Sequence, residues 1–264
     1  MIQRLWRKLC ARLRGTSSVR RPGNFPGEET EPDSAFATEH SPTVAEVARV
    51  NRAVSRLTAA GISQNSWLPM FASAADINER SGDQITERVM ALYAQFMRAQ
   101  AAIDSIPIAD YRALMAKNFG TRHYAAMSSY ERAFVDNPDP ARAQVTQAIW
   151  MIEAIVPLLW ANRRLQSLAW PNAFANPSIV MGSLQELMTG AASPPVTAMR
   201  HVDEVLDEAE LNYRLAWACR EKALSNKADT KDLVHGVVME RHRAFAWLIE
   251  PDHSCSWHEI DCST

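Results

Sequence analysis

From Thr43 to the C-terminus, apolar residues recur at three- and four-residue spacing, and no stretch alternates cleanly with period two. A helix buries one stripe at period 3.6 and a strand one face at period 2, so this pattern predicts helices throughout and no sheet. Thr43 can cap a run through Val44, Val47, Val50, Val54 and Leu57 that stops at Gly61. Ser81 opens a second helix, with Ile85, Val89, Leu92, Tyr93, Phe96 and Met97 as its stripe. Ser128 and Glu131 form the S-x-x-E pattern of a capping box, so a short helix starts there. After the turn Asn137-Pro138-Asp139-Pro140, one long apolar helix is expected over 141–166, with Pro157 tolerated in its interior. Further helices are expected over 178–188, 201–225 and 231–249. The fold class is all-α: an irregular multi-helix bundle in a single domain, residues 43–264, behind a flexible N-terminal extension.

That extension has two parts. Residues 1–21 carry seven Arg or Lys and no acid, and residues 22–42 carry five acids and no Arg or Lys. Residues 2–14 set Ile2, Leu5, Trp6, Leu9, Cys10 and Leu13 at helical spacing among Arg4, Arg7, Lys8 and Arg12. A short basic amphipathic segment with a Trp suits a membrane interface, or docking on the domain itself. Too short to hold a helix alone in water, it needs a surface to lie on. Residues 22–42 are rich in Pro, Gly and acid and lack periodicity, as an acidic linker does.

A net charge of −2 gives no field to attract nucleic acid, so none is expected as a partner. Four scattered cysteines make no disulfide framework, no secretory signal is evident, and no run of about 18 apolar residues occurs. A cytoplasmic location is expected, with the membrane surface as the alternative through residues 2–14.

Several separated segments resemble a mostly bacterial family known as domain of unknown function 4272. They are Gly61-Ile62 with Leu68-Pro69, Arg80-Ser81 through Ile85 and Arg88, and Ser128–Phe134. Trp150, Glu153-Ala154 and Leu158–Ala161 follow, then Glu204–Ala218, Glu240–Leu248 and the tail Trp257–Thr264. The similarity runs from about Arg52 to Thr264 and implies the helical fold. The family carries no activity to transfer. Where it has Asn before the Trp-Leu pair this chain has Ala246, and where it has Asp and Thr in the tail this chain has His258 and Cys262.

The charges set inside apolar helices are the candidates for chemistry. Glu153, Asp207, Glu240 and His242 could converge as an acid/base cluster, with Arg88 or Arg214 holding an anion. The same groups could instead be paired between helices and fix their packing. Glu240 and Arg243 stand at i, i+3 and Glu210 and Arg214 at i, i+4, within reach of each other. Asp207 and Arg214 lie two turns apart on one face. Tail residues His253, Cys255, His258 and Cys262 are metal-binding types, but at a spacing that fits no standard zinc module, so no metal is expected. Trp150, Trp160, Trp217 and Trp247 are expected in the core. There is no Gly-rich phosphate loop and no nucleophile motif, and no cofactor is expected. The leading expectation is a non-catalytic protein–protein interaction module with an adaptor, immunity-type or assembly role. The alternatives are a hydrolase or transferase built on the Glu/Asp/His cluster, and a peripheral membrane protein anchored through residues 2–14.

Overall fold

The computed structural model describes residues 41–264 except 78, 190–198, 252 and 254, with no account of the side chains of 76 and 185–189. The basic segment 1–21 and nearly all of the acidic linker 22–42 therefore lie outside the described residues.

Local sequence starts the helices as expected. The Thr43 hydroxyl accepts from the Glu46 amide at 3.3 Å while the Glu46 carboxylate accepts from the Thr43 amide at 2.7 Å, closing a capping box on α1 (Val44–Ala59). Gly61, just past its end, sits at φ 66°, a left-handed conformation that favours glycine. Ser81 with Gln84 caps α2 (Gly82–Ile103), and Ser128 with Glu131 caps α4 (Ser129–Asp136). Between these two lies α3 (Ile108–Phe119), which was not expected; its buried stripe is only Tyr111, Met115 and Phe119.

The long helix expected over 141–166 is two helices. α5 (Arg142–Ile149) and α6 (Met151–Ala161) meet at Trp150, where the i+3 bonds Trp150 N–H to Gln147 O at 3.0 Å and Glu153 N–H to Trp150 O at 2.9 Å replace the regular ladder. The tightened turn lies ahead of Pro157, which α6 holds in its interior. It seats the Trp150 ring against Phe174, centroids 5.2 Å apart, and against the backbone of Gly236. The run Arg142–Ala161 is long and apolar enough by composition to cross a membrane, but 72% of its most apolar 18-residue stretch is buried inside the protein. Packing against neighbouring helices accounts for that apolarity.

α7 (Pro177–Thr189), α8 (Val202–Ser225) and α9 (His235–Ile249) complete the domain. Every residue of α6 is buried. α6 lies between α2 and α9, α9 packs in turn on α8, and α8 on α1. α3, α4 and α5 cover α2, and α7 leans on α6. The main core spans α2, α6 and α9; a smaller one, Ala53, Leu57, Leu211 and Leu215 among others, lies between α1 and α8. Trp160 and Trp247 are buried, while Trp150 and Trp217 are half-buried. The described residues are all-α, with no strand among them.

Candidate functional site

The four candidate acid/base residues go to three different places. Glu153, on the wholly buried α6, has no solvent exposure. Its Oε1 accepts the Ala175 amide at 2.7 Å, and its Oε2 accepts from Arg241 Nη2 on α9 at 3.4 Å. Arg241 also donates to the Ala169 carbonyl at 2.6 Å. Burial pushes the Glu153 carboxyl up, with Arg241 opposing it, and burial pushes the Arg241 guanidinium down, with Glu153 opposing that. On both partners desolvation is the larger effect, so this ion pair joins α6 to α9 without repaying the full cost of its burial.

Glu240 comes off α9 on the Glu153 side, near enough for its charge to raise the Glu153 pKa further. Burial raises its own pKa, and Arg243 one turn on donates to both of its oxygens at 3.2 Å. His242 lies on a different face of the same helix. Its ring stands 5.1 Å from Phe71 and 5.9 Å from Tyr213, centroid to centroid, and neither ring nitrogen has a hydrogen-bond partner. The Cys262 backbone faces it without closing a bond of normal geometry. Burial first, then Arg220, push its pKa down to about 4, so at neutral pH it is an uncharged ring packed between aromatics.

Asp207 is elsewhere. It accepts a two-pronged contact from Arg52 on α1, at 2.6 and 3.0 Å, with over a third of its side chain in solvent. Beside it Arg56 pairs with Glu208 at 2.5 Å. Together these pairs clip α1 onto α8 at the surface.

Neither arginine proposed to hold an anion is available for one. Arg88 pairs with Glu131 at 2.8 Å, donates to the Ala126 carbonyl, and lies within 6 Å of the Trp247 and Trp257 rings at 5.8 and 5.5 Å. Glu131, read from sequence as a helix cap, is thus also a buried counter-ion, and it accepts from Gln95 at 2.9 Å as well. Arg214 pairs with Glu210 at 2.7 Å, and Glu210 accepts the Phe71 amide at 2.9 Å, which fastens the loop after Gly61 to α8.

Sequence reasoning also passed over Arg80 and Arg98. Arg80 donates to the Trp247 carbonyl at 2.6 Å, pairs with Glu250 at 2.9 Å and covers the Trp247 ring at 3.8 Å. Burial lowers its pKa to about 10. Arg98 donates to the Asn137 and Pro138 carbonyls. An Arg inside an apolar helical run is the signal for Arg98; Arg80, in the polar stretch before α2, carries none.

Two cavities were candidates to hold a ligand. One, lined by Gln95, Glu131, Arg243 and Trp257 among others, encloses about 30 Å³, room for little more than water. The other is an open groove of about 610 Å³ beside the α2–α3 turn. Neither is lined by Glu153, Asp207, Glu240 or His242. Among the described residues no three His, Cys, Asp or Glu gather as a metal site would need.

A single all-helical domain held by buried arginine–carboxylate pairs, with its acid/base residues apart, defines the class of protein. The match of a family model to residues 49–260 places it more narrowly. The chain belongs to the family described as domain of unknown function DUF4272. No curated protein and no solved structure matches it.

Proposed function

We propose that the protein is a non-catalytic protein–protein interaction module, in an adaptor, immunity-type or assembly role in the cytoplasm. One observation carries this reading. The residues best suited to acid/base work are closed in separate ion pairs or sealed among aromatics, and neither cavity described above brings them together with solvent. Catalysis needs a general acid or base within reach of a substrate. Apolar side chains, in contrast, stand in solvent. Trp67 is 91% exposed in the loop after α1, and Ile103 and Ile106 are exposed at the α2–α3 turn. Exposed Trp is among the residue types that anchor interfaces.

Affinity capture with the full chain, in parallel with Trp67→Ser and Ile106→Lys variants of equal thermal stability, tests the reading. A protein recovered by the wild type and lost with either variant supports it. A hydrolase or transferase activity abolished by Glu240→Gln at unchanged stability would overturn it.

A further inference from the structure

Residues 255–264 leave α9 and lie across the bundle. Trp257 is 1% exposed with its ring 6.1 Å from that of Trp247, and Ile260 is buried in the main core. The His258 ring meets Tyr130 on α4 at 4.9 Å. At the end of the chain Arg220 on α8 donates to the Thr264 hydroxyl at 3.0 Å. The carboxylates of the segment bond within it: Glu259 accepts from the Ser256 amide at 3.1 Å, and Asp261 from the Ser263 amide at 2.8 Å. The buried ion pairs Arg88–Glu131, Arg214–Glu210 and Arg241–Glu153 contain no residue of it.

Beneath the segment lies His242. Phe71 and Tyr213 flank its ring, and the Cys262 backbone and Asp261 approach it from the segment. The imidazole has no solvent exposure, yet neither ring nitrogen gains a hydrogen bond of normal geometry. A buried polar group without a partner is costly, and water supplies the partner once it reaches the group. Burial of Trp257 and Ile260 therefore holds the segment down, while hydration of His242 favours lifting it.

We propose that residues 255–264 are a strap that opens as a unit while the helices stay folded, and that its opening brings His242 from the interior into water. This goes beyond the interaction reading and does not depend on it. Acid drives the opening. The charged and titratable residues around the ring are Arg220 and Tyr213 on α8, Arg243 on α9, and Asp261 and Cys262 on the strap. Arginine stays charged throughout the accessible range. Asp261 is held below its ordinary value, and burial pushes Tyr213 and Cys262 above theirs, so between pH 7.5 and 5.5 His242 is the member of this group that titrates. Covered, its ring takes a proton only near pH 4, and hydrated at an ordinary 6.5. The opening equilibrium therefore shifts about tenfold toward the open form between pH 7.5 and 5.5. Glu240, on another face of α9, is pushed up by burial and works against this shift wherever opening hydrates it, so the effect is read against a variant at His242.

Native thiols report the opening in the full chain. Cys262 is half-buried on the strap, and Cys219 lies on α8 in the smaller core. Labelling by 4,4′-dithiodipyridine is followed at each cysteine by mass spectrometry. The Cys262 rate is divided by that of a free peptide of residues 256–264 at the same pH, which removes the intrinsic reactivity of the thiol. That quotient should rise about tenfold from pH 7.5 to 5.5 while Cys219 stays unlabelled, and should not change in urea well below the unfolding transition. In His242→Phe the rise with acid should vanish. Thr264→Val, which removes the terminal hydrogen bond, should raise the quotient at least about threefold at both pH values. Circular dichroism confirms that each variant folds. Cys262 and Cys219 reacting together, a Cys262 rate equal to that of the peptide at pH 7.5, the same acid response in wild type and His242→Phe, or an unchanged quotient in Thr264→Val would each overturn the proposal.

Discussion

Acidification tests the placement of His242 with a magnitude that can be worked in advance. The ring is fully buried, and its pKa is lowered to about 4 from an ordinary 6.5. Burial is the largest cause. Arg220 and Arg243 lower it further, while Asp261 and the Cys262 backbone act the other way. Between these two values the unfolded chain binds a proton that the folded chain refuses. The stability owed to the neutral ring is therefore whole above pH 6.5 and is lost as pH falls toward 4. For a shift of this size the loss by pH 4.5 is about 2.5 kcal/mol. Glu153 and Glu240 work with the opposite sign, because burial raises their pKa and the folded state holds their protons more tightly. The reading must therefore be a difference. Urea unfolding of the wild type and of His242→Phe, followed by circular dichroism at pH 7.5, 6.5, 5.5 and 4.5, provides it. Phe keeps an aromatic ring between Phe71 and Tyr213 and cannot take a proton. The stability of the wild type relative to the variant should fall by about 2 to 3 kcal/mol across the series. Parallel curves would refute the argument and mean that the imidazole is hydrated or hydrogen-bonded in the native protein.

Other substitutions discriminate between locks of different depth. Glu131→Ala leaves Arg88 buried without its counter-ion and removes half of the α4 capping box, so chemical denaturation should show a loss of about 3 to 5 kcal/mol. Arg52→Ala breaks a partly exposed pair, and the same assay should show no more than about 1 kcal/mol. In Gly236→Ala the new methyl would lie 2.6 Å from the Trp150 ring, so the ring must shift; a loss of about 1 to 3 kcal/mol and altered tryptophan fluorescence are expected.

The helices were legible because their signals are local. Thr43 and Ser81 cap their helices as expected, Ser128 caps α4 where its spacing to Glu131 indicated, and Gly61 ends α1 as a left-handed glycine. The pairs Glu240–Arg243 and Glu210–Arg214 were legible for the same reason, since helix geometry alone brings i, i+3 and i, i+4 together. The partners of Asp207, Glu131 and Glu153 were not. They lie 155, 43 and 88 residues away in sequence, and only the docking of α1 on α8, α2 on α4, and α6 on α9 brings them into contact. Asp207 and Arg214 both lie on α8 two turns apart, but each has its own partner, Arg52 for Asp207 and Glu210 for Arg214. The break at Trp150 was hidden as well. The indole at the break is seated against Phe174 and a glycine on α9, neighbours that residues 141–166 do not announce.

The buried carboxylates Glu153, Glu131 and Glu210 each pair with an arginine, and the Glu153–Arg241 pair joins helix to helix. A double-mutant cycle on Glu153 and Arg241 tests it most directly, with Glu153→Leu and Arg241→Met singly and together, followed by urea unfolding. Each single change strands a buried charge and should cost about 3 to 5 kcal/mol. The double variant should lose about as much as one single change, well short of the sum of the two. Its desolvation burden is gone, and only the Ala175 amide and Ala169 carbonyl are left short of a partner, at about 1 to 3 kcal/mol each. Losses that simply add would contradict the account, because they would show that Glu153 and Arg241 do not hold α6 to α9 as a pair.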